Sequence, residues 1–283
     1  VKEGREGITS DKIYQNKFMK NFKRYLKIFL LYSKYALKTT FQTRVGTIFF
    51  LLGKFVRFIF FFFLVLLIFT KVKLIKGYTI NQAIIFYLTF NLIDTITQIV
   101  FREVYRFKYA VVSGDFNLTL THPHHPFLKI LVGGIDFLDI IMLIPYLLLT
   151  FYYLGQLPTY ERQTANYLLY FLLIINGLVI ATAFHIAVLA MGILTTETDN
   201  TIMIYRDLTN LTRFPLDIYR SPLREILTFI IPVGVMISFP AQALFNLLTW
   251  PKMIYAFILS SSLLLFSLKF WDYSLKKYQS WGG

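Results

Sequence analysis

Apolar residues in this chain come in blocks of about twenty or more, divided by short polar stretches that hold most of the lysine and arginine. Such a block matches a helix crossing a hydrocarbon layer about 30 Å thick. The most continuous piece, FIFFFFLVLLIF, runs from Phe58 to Phe69 without one polar atom in a side chain. With 56% of 283 residues hydrophobic, neither one large nor two ordinary soluble domains could cover this surface. The pattern predicts an all-α, polytopic membrane protein.

The formal charge of +14 would suit nucleic acid. The basic residues cluster beside the apolar blocks instead, as in loops facing anionic cytoplasmic lipid, so no nucleic-acid partner is expected. The chain has no cysteine, which excludes disulfides, thiolate metal sites and cysteine nucleophiles. Val1 to Lys20 is polar and lacks a signal-peptide core, so the first span itself is expected to drive insertion.

From Asp11 to Arg44 there is neither Pro nor Gly, and Phe18, Phe22, Tyr25, Phe29 and Tyr32 recur at spacings of three and four. Lys20, Lys23, Lys27, Lys34 and Lys38 fall largely between them, the pattern of an amphipathic helix lying in the interface. Residues 1–45 are therefore read as a cytoplasmic N-terminus with a connecting helix, and 46–283 as the transmembrane domain. Spans are expected at 46–70, 78–101, 127–153, 164–194 and 252–271. Lys269, Lys276 and Lys277 put the C-terminus on the cytoplasmic side with the N-terminus, so the crossings are even in number. Lys71, Lys73 and Lys76 fall outside, against the trend.

The segment 195–250 admits two topologies. Either 225–250 crosses and the arginine-bearing stretch 195–224 is cytoplasmic, or 200–216 is a short polar fifth span and a segment broken by Pro232, Gly234 and Pro240 dips in from outside.

Charges inside spans are costly and point to function or to buried pairing. Lys54, Arg57, Asp94 and Asp136 lie at comparable depths from the cytoplasmic ends of their helices, and Lys54 or Arg57 is expected to pair with Asp94, Asp136 or Asp139 in a network or pathway. The bland alternatives are snorkelling for Lys54 and Arg57 and plain helix packing for the acids. Gly133 and Gly134 would let a neighbouring helix approach closely. His185, alone on an apolar helix, reads as a hydrogen-bonded packing residue.

His122, His124 and His125, with Pro123 and Pro126, are the cluster that could suggest a metal site or a membrane-embedded transferase. They offer at most two zinc ligands and no evident third, so they are read as a turn into the third span and no metal is assigned. Gly53-Lys54-Phe55 cannot cradle a nucleotide, so any ATP and Mg must be bound by another chain. Asn117-Leu118-Thr119 and Asn210-Leu211-Thr212 match a glycosylation acceptor at the level of chance.

The succession Arg213-Phe214-Pro215-Leu216-Asp217-Ile218-Tyr219, Phe229-Ile230-Ile231-Pro232-Val233, Phe239-Pro240-Ala241, Trp271 and Tyr278-Gln279-Ser280-Trp281-Gly282-Gly283 resembles the end of the bacterial type-2 ABC exporter permeases. Gly114-Asp115-Phe116-Asn117, Leu120 and Pro123 resemble that family's loop between spans 2 and 3, from which His124 and His125 depart. The likeness extends from about Phe18 to Gly283. It implies six crossings, with 200–216 the fifth and 222–248 a re-entrant external gate carrying Pro215, Pro232 and Pro240. It further implies a second permease copy or homologous permease, and a cytosolic ABC ATPase docked on a loop that includes Arg106, Gly114, Asp115, Asn117, Leu120 and Pro123. The expected function is export of an amphipathic or lipid-like substrate across the bacterial inner membrane, with no catalytic residue in this chain. The rivals are a membrane scaffold without transport activity and the His-cluster transferase.

Overall fold

The computed structural model describes residues 10–42, 44–71, 74–195 and 197–279. Residues 1–9, Lys73 and the closing Ser280-Trp281-Gly282-Gly283 lie outside them, as do the side chains of Phe18 and Lys20. The described residues form helices joined by turns, with one isolated bridge between Ile75 and Tyr78. In order they are α1 (Ser10–Gln42), α2 (Arg44–Lys71), α3 (Ile80–Phe101), α4 (Phe107–Val112), α5 (Asp115–Thr121), α6 (Phe137–Gly155), α7 (Thr164–Thr195), α8 (Thr198–Asn210), α9 (Leu223–Glu225), α10 (Val233–Leu244) and α11 (Trp250–Lys277).

Among the described residues five helices are long and apolar enough to cross a membrane: Arg44–Lys71, Ile80–Val112, Phe137–Gly155, Thr164–Thr195 and Trp250–Lys277. The chain is a multi-pass membrane protein. A further pair, Leu223–Ile230 and Val233–Leu244, passes the same test only together and is bent by 95°. The bend falls at Ile231-Pro232, where proline has no N–H to continue the helix.

Local chemistry sets several boundaries. Thr79 and Gln82 form a reciprocal capping box at the start of α3. The third span was expected to run helically from residue 127, but its continuous helix begins at Phe137. Leu128–Val132 forms a wide turn, Gly133 takes a left-handed φ of 52°, and Asp136 caps Leu138 N. Gly134 explains why: a β-carbon there would lie 2.6 Å from the Tyr32 carbonyl oxygen and 2.7 Å from Ala36 Cβ. The neighbour admitted by Gly134 is thus α1, whereas Gly133 abuts the side chain of Glu103. Tyr25, Phe29, Tyr32, Ser33 and Ala36 form its packing face at helical spacing, and Lys23, Lys27, Lys34 and Lys38 are exposed on the other side.

The stretch expected as a fifth span, 200–216, contains the thirteen-residue α8 and a 3-10 turn at Leu211–Arg213, and it is not among the five long apolar helices. Its direction is nevertheless clear. Lys108, on α4, lies 3.8 Å from Glu197 and 4.0 Å from Asp199 at the start of α8. Beyond its end, Asp217 Oδ2 accepts hydrogen bonds from Tyr78 Oη at 2.5 Å and Gln242 Nε2 at 3.0 Å. The chain from Glu197 to Asp217 therefore runs the full length of α3 in the opposite sense. The bent pair then begins and ends near the Tyr78 end, since Leu248 shares a core cluster with Tyr78, Leu154 and Leu157.

The core is built around α7, which lies along α10 and α11. Asn176 ties it to α11, donating to the Ala256 carbonyl at 3.3 Å and accepting from Ser260 Oγ at 2.6 Å. Gly177 lets the Met236 carbonyl of α10 come so close that no side chain would fit.

Candidate functional site

Positions 87, 91, 94 and 98 of α3 fall on one helical face. Tyr87, Asn91, Asp94 and Gln98 look from that face into a cavity of about 480 Å³ bounded by α2, the start of α6, and α8 with its following turn. The cavity is lined by five basic side chains, Lys54, Arg57, Arg102, Arg206 and Arg213, and by two acidic ones, Asp94 and Asp139. Each charge costs at least about 2.5 kcal/mol to place in a bilayer centre, so the local pairing decides what the site can do.

Lys54 forms an ion pair with Asp139, whose side chain is almost fully buried. The other carboxylate oxygen of Asp139 has no hydrogen-bond partner among the described residues. Asp136 lies below the cavity, where it caps α6 and receives Arg102 Nε at 3.4 Å. Arg57 Nη2 is 3.5 Å from Asn210 Oδ1, and Arg213 Nη2 donates to the same oxygen at 2.7 Å. The Arg213 guanidinium stands over Phe61 at 4.2 Å and Phe90 at 4.9 Å, contacts worth about 0.5–2 kcal/mol each. Arg206 stands 5.6 Å from the Tyr105 ring. Of the residues expected to meet, Lys54, Arg57, Asp94 and Asp139 line one cavity, and Asp136 lies beneath it.

Arg102, Arg206 and Arg213 were not expected here. In the sequence Arg206 and Arg213 count towards a cytoplasmic stretch 195–224, and Arg213 also heads the family-like motif, although their spacing of seven suits one helical face. That spacing on an uncertain span was the available signal.

The loop from Arg102 to Pro126 is ordered rather than extended. A 3-10 turn, Arg102–Arg106, leads into α4, Gly114 at φ 81° reverses the chain, and α5 follows. Phe116 is fully buried, with its ring 5.1 Å from Phe107, 6.3 Å from Trp271 and 5.0 Å from Tyr278. Tyr278 Oη also donates to Asn117 Oδ1 at 2.8 Å, so α5 is fastened to the end of α11. Asp115 is exposed and accepts a hydrogen bond from Ser113 Oγ. Tyr109, Val112, Leu118 and Leu120 are exposed apolar side chains on this small lobe. Arg106 pairs with Glu103 at 2.9 Å, and the Pro123 carbonyl accepts from Arg24 of α1 at 3.2 Å.

The rings of His122 and His124 stack at 5.3 Å, while the His125 backbone N–H donates to Tyr25 Oη at 3.2 Å. Among the described residues no group of three or more His, Cys, Asp or Glu is arranged to hold a metal ion. His185 is buried, with Nδ1 2.8 Å from the Ala181 carbonyl and rings of Phe101 and Tyr205 about it. Pro232 stands at the 95° bend, Pro240 lies inside α10, and Pro215 precedes the turn to Asp217. In the α6–α7 connection, Glu161 is buried with one oxygen accepting from Gln82 Nε2 at 2.7 Å. Burial holds its carboxyl above the usual value of 4.5, against the lowering effect of that hydrogen bond.

The family model described as ABC-2 family transporter protein matches residues 55–282. No curated protein and no solved structure matches the chain.

Proposed function

The chain belongs to the ABC-2 family of transporter membrane proteins, and we propose that it is the permease subunit of an ATP-driven exporter, working with a separate cytosolic ABC ATPase. ATP and Mg are held by that partner, and a second copy or a related permease completes the pathway. The observation that carries the coupling mechanism is the α4–α5 lobe. It presents exposed Tyr109, Val112, Leu118 and Leu120 outward while Phe116 and Asn117 fasten it to Trp271 and Tyr278. A partner that grips the outer face moves α11 with it, so ATP-driven closure reaches the spans as rigid-body motion.

This reading assigns six crossings. The chain from Glu197 to Asp217 is the fifth, since it runs antiparallel to the whole of α3, and the bent pair at Pro232 is a re-entrant external gate held by Asp217 through Tyr78 and Gln242. Both termini are cytoplasmic in a bacterial inner membrane, and α1 is the interfacial connecting helix. The cargo is amphipathic or lipid-like and passes the charged, aromatic-walled cavity.

The test is co-purification with the ATPase encoded beside this chain, followed by ATP hydrolysis. Leu118→Asp with Leu120→Asp, both on exposed positions, is expected to abolish association while the permease elutes intact. An intact chain that neither binds nor stimulates any such ATPase would favour the scaffold reading.

A further inference from the structure

We infer that the cavity between α2, α3 and α8 is a binding site for the phosphate-type head group of an anionic amphiphile. The inference takes the export reading for the identity of the cargo, but the site rests on its own geometry. Lys54 is neutralised by Asp139, and Arg102 by Asp136. Three lining arginines remain, Arg57, Arg206 and Arg213, against the single carboxylate of Asp94. None of these four groups has an ion-pair partner within 4.0 Å among the described residues. Arg213 is 8% exposed, and its buried Nε has no acceptor among the described residues. Arg57 and Arg213 share one neutral acceptor, Asn210 Oδ1. Guanidinium forks left in this condition match a tetrahedral oxyanion, which can take two parallel N–H donors from each.

The cations are also staggered. Arg57 reaches Asn210, which lies four residues and roughly 6 Å along α8 from Arg206. Arg213 follows Arg206 by seven residues, so an anion leaving one guanidinium has another within reach farther along. The volume of about 480 Å³ suits a head group and not a two-chain lipid. Phe49 and Phe50, exposed on α2 at the cavity's edge, give an apolar tail a path outward. Aromatic walls without cations would favour any lipid; cations without aromatic walls would favour a free ion.

The experiment measures binding of a fluorescent short-chain phosphatidylglycerol and a same-tail phosphatidylcholine to the purified full chain in neutral detergent. Phosphatidylglycerol is expected to bind about tenfold tighter or more, the effect of one or two charge-assisted hydrogen bonds. Arg57→Gln and Arg206→Gln should each erase most of that preference and leave phosphatidylcholine binding unchanged. Lys276→Gln with Lys277→Gln, exposed at the end of α11, should change neither. Arg213→Gln is paired with Arg213→Lys, which retains the charge if the glutamine variant does not elute intact. Displacement of the probe by millimolar inorganic phosphate alone would mark the shared oxyanion chemistry with a free ion as its source; resistance to it marks the lipid head group. Equal binding of the two lipids, or unchanged preference in the Arg57 and Arg206 variants, overturns the inference. Those outcomes leave the ATPase assay untouched, so loss of ATPase coupling with intact lipid preference would remove the export reading and keep the site.

Discussion

The pair of Lys54 and Asp139 allows the sharpest test of how charge is held inside this membrane domain. Asp139 is 3% exposed, one of its oxygens has no partner among the described residues, and Lys54 is its cation. Lys54→Met would strand a buried carboxylate. Breaking a buried pair from one side costs about 3–5 kcal/mol, reduced here to about 2–3 kcal/mol because the lysine side chain is 25% exposed. For a chain of this size that corresponds to a fall of roughly 4–12 °C in Tm. Asp139→Asn should cost less, about 1 kcal/mol, because the flexible lysine stem can withdraw its ammonium towards the cavity mouth. Combining Lys54→Met with Asp139→Asn removes the two desolvation penalties together and should land within about 1 kcal/mol of the parent. Thermal unfolding of the four proteins in one detergent completes the cycle. The reasoning fails if Lys54→Met leaves Tm unchanged, or if the double variant is as unstable as the sum of the singles.

Three further outcomes follow from the packing. Gly134→Val should destabilise by about 1–3 kcal/mol and release α1, seen as faster proteolysis before residue 44, because its side chain would collide with the Tyr32 carbonyl and Ala36. Phe116→Ala should weaken ATPase association and stimulation without altering the spans. It removes a fully buried ring worth about 3–5 kcal/mol to the lobe, whereas Tyr278→Phe forfeits only one hydrogen bond of about 1 kcal/mol. Glu161 gives a pH signature. Its folded-state pKa lies above the ordinary 4.5, so the folded chain holds its proton more tightly, and stability is complete below 4.5 and declines as pH rises through the folded value. Glu161→Gln should therefore match the parent near pH 4.5 and exceed it at neutral pH; parallel Tm profiles across that range would refute the assignment.

The long helices were legible because lipid imposes one rule, a run of about twenty or more apolar residues, and α2, α3, α7 and α11 each contain such a run. Hydropathy failed where that rule is relaxed by protein neighbours. The start of α6 is shifted ten residues by the approach of α1 over Gly134, a contact between segments about a hundred residues apart that no local pattern encodes. The stretch after Glu197 is too short and too polar to read as a span by hydropathy, yet Arg206 faces Tyr105 and Arg213 faces Phe61 and Phe90. The same relaxation explains why the acids were found more readily than the arginines. An Asp inside an apolar block stands out at once, whereas Arg206 and Arg213 sit in a polar segment where charge looks ordinary. Their cavity became visible only when the fold laid that segment along α3. Polarity that is cheap in a loop becomes costly beside an apolar helix, and at Arg213 two aromatic faces and one amide oxygen meet only part of that cost. A chain that keeps such an arrangement, with more cations than anions around a space large enough for a head group, is organised around a negative charge that the chain itself does not supply.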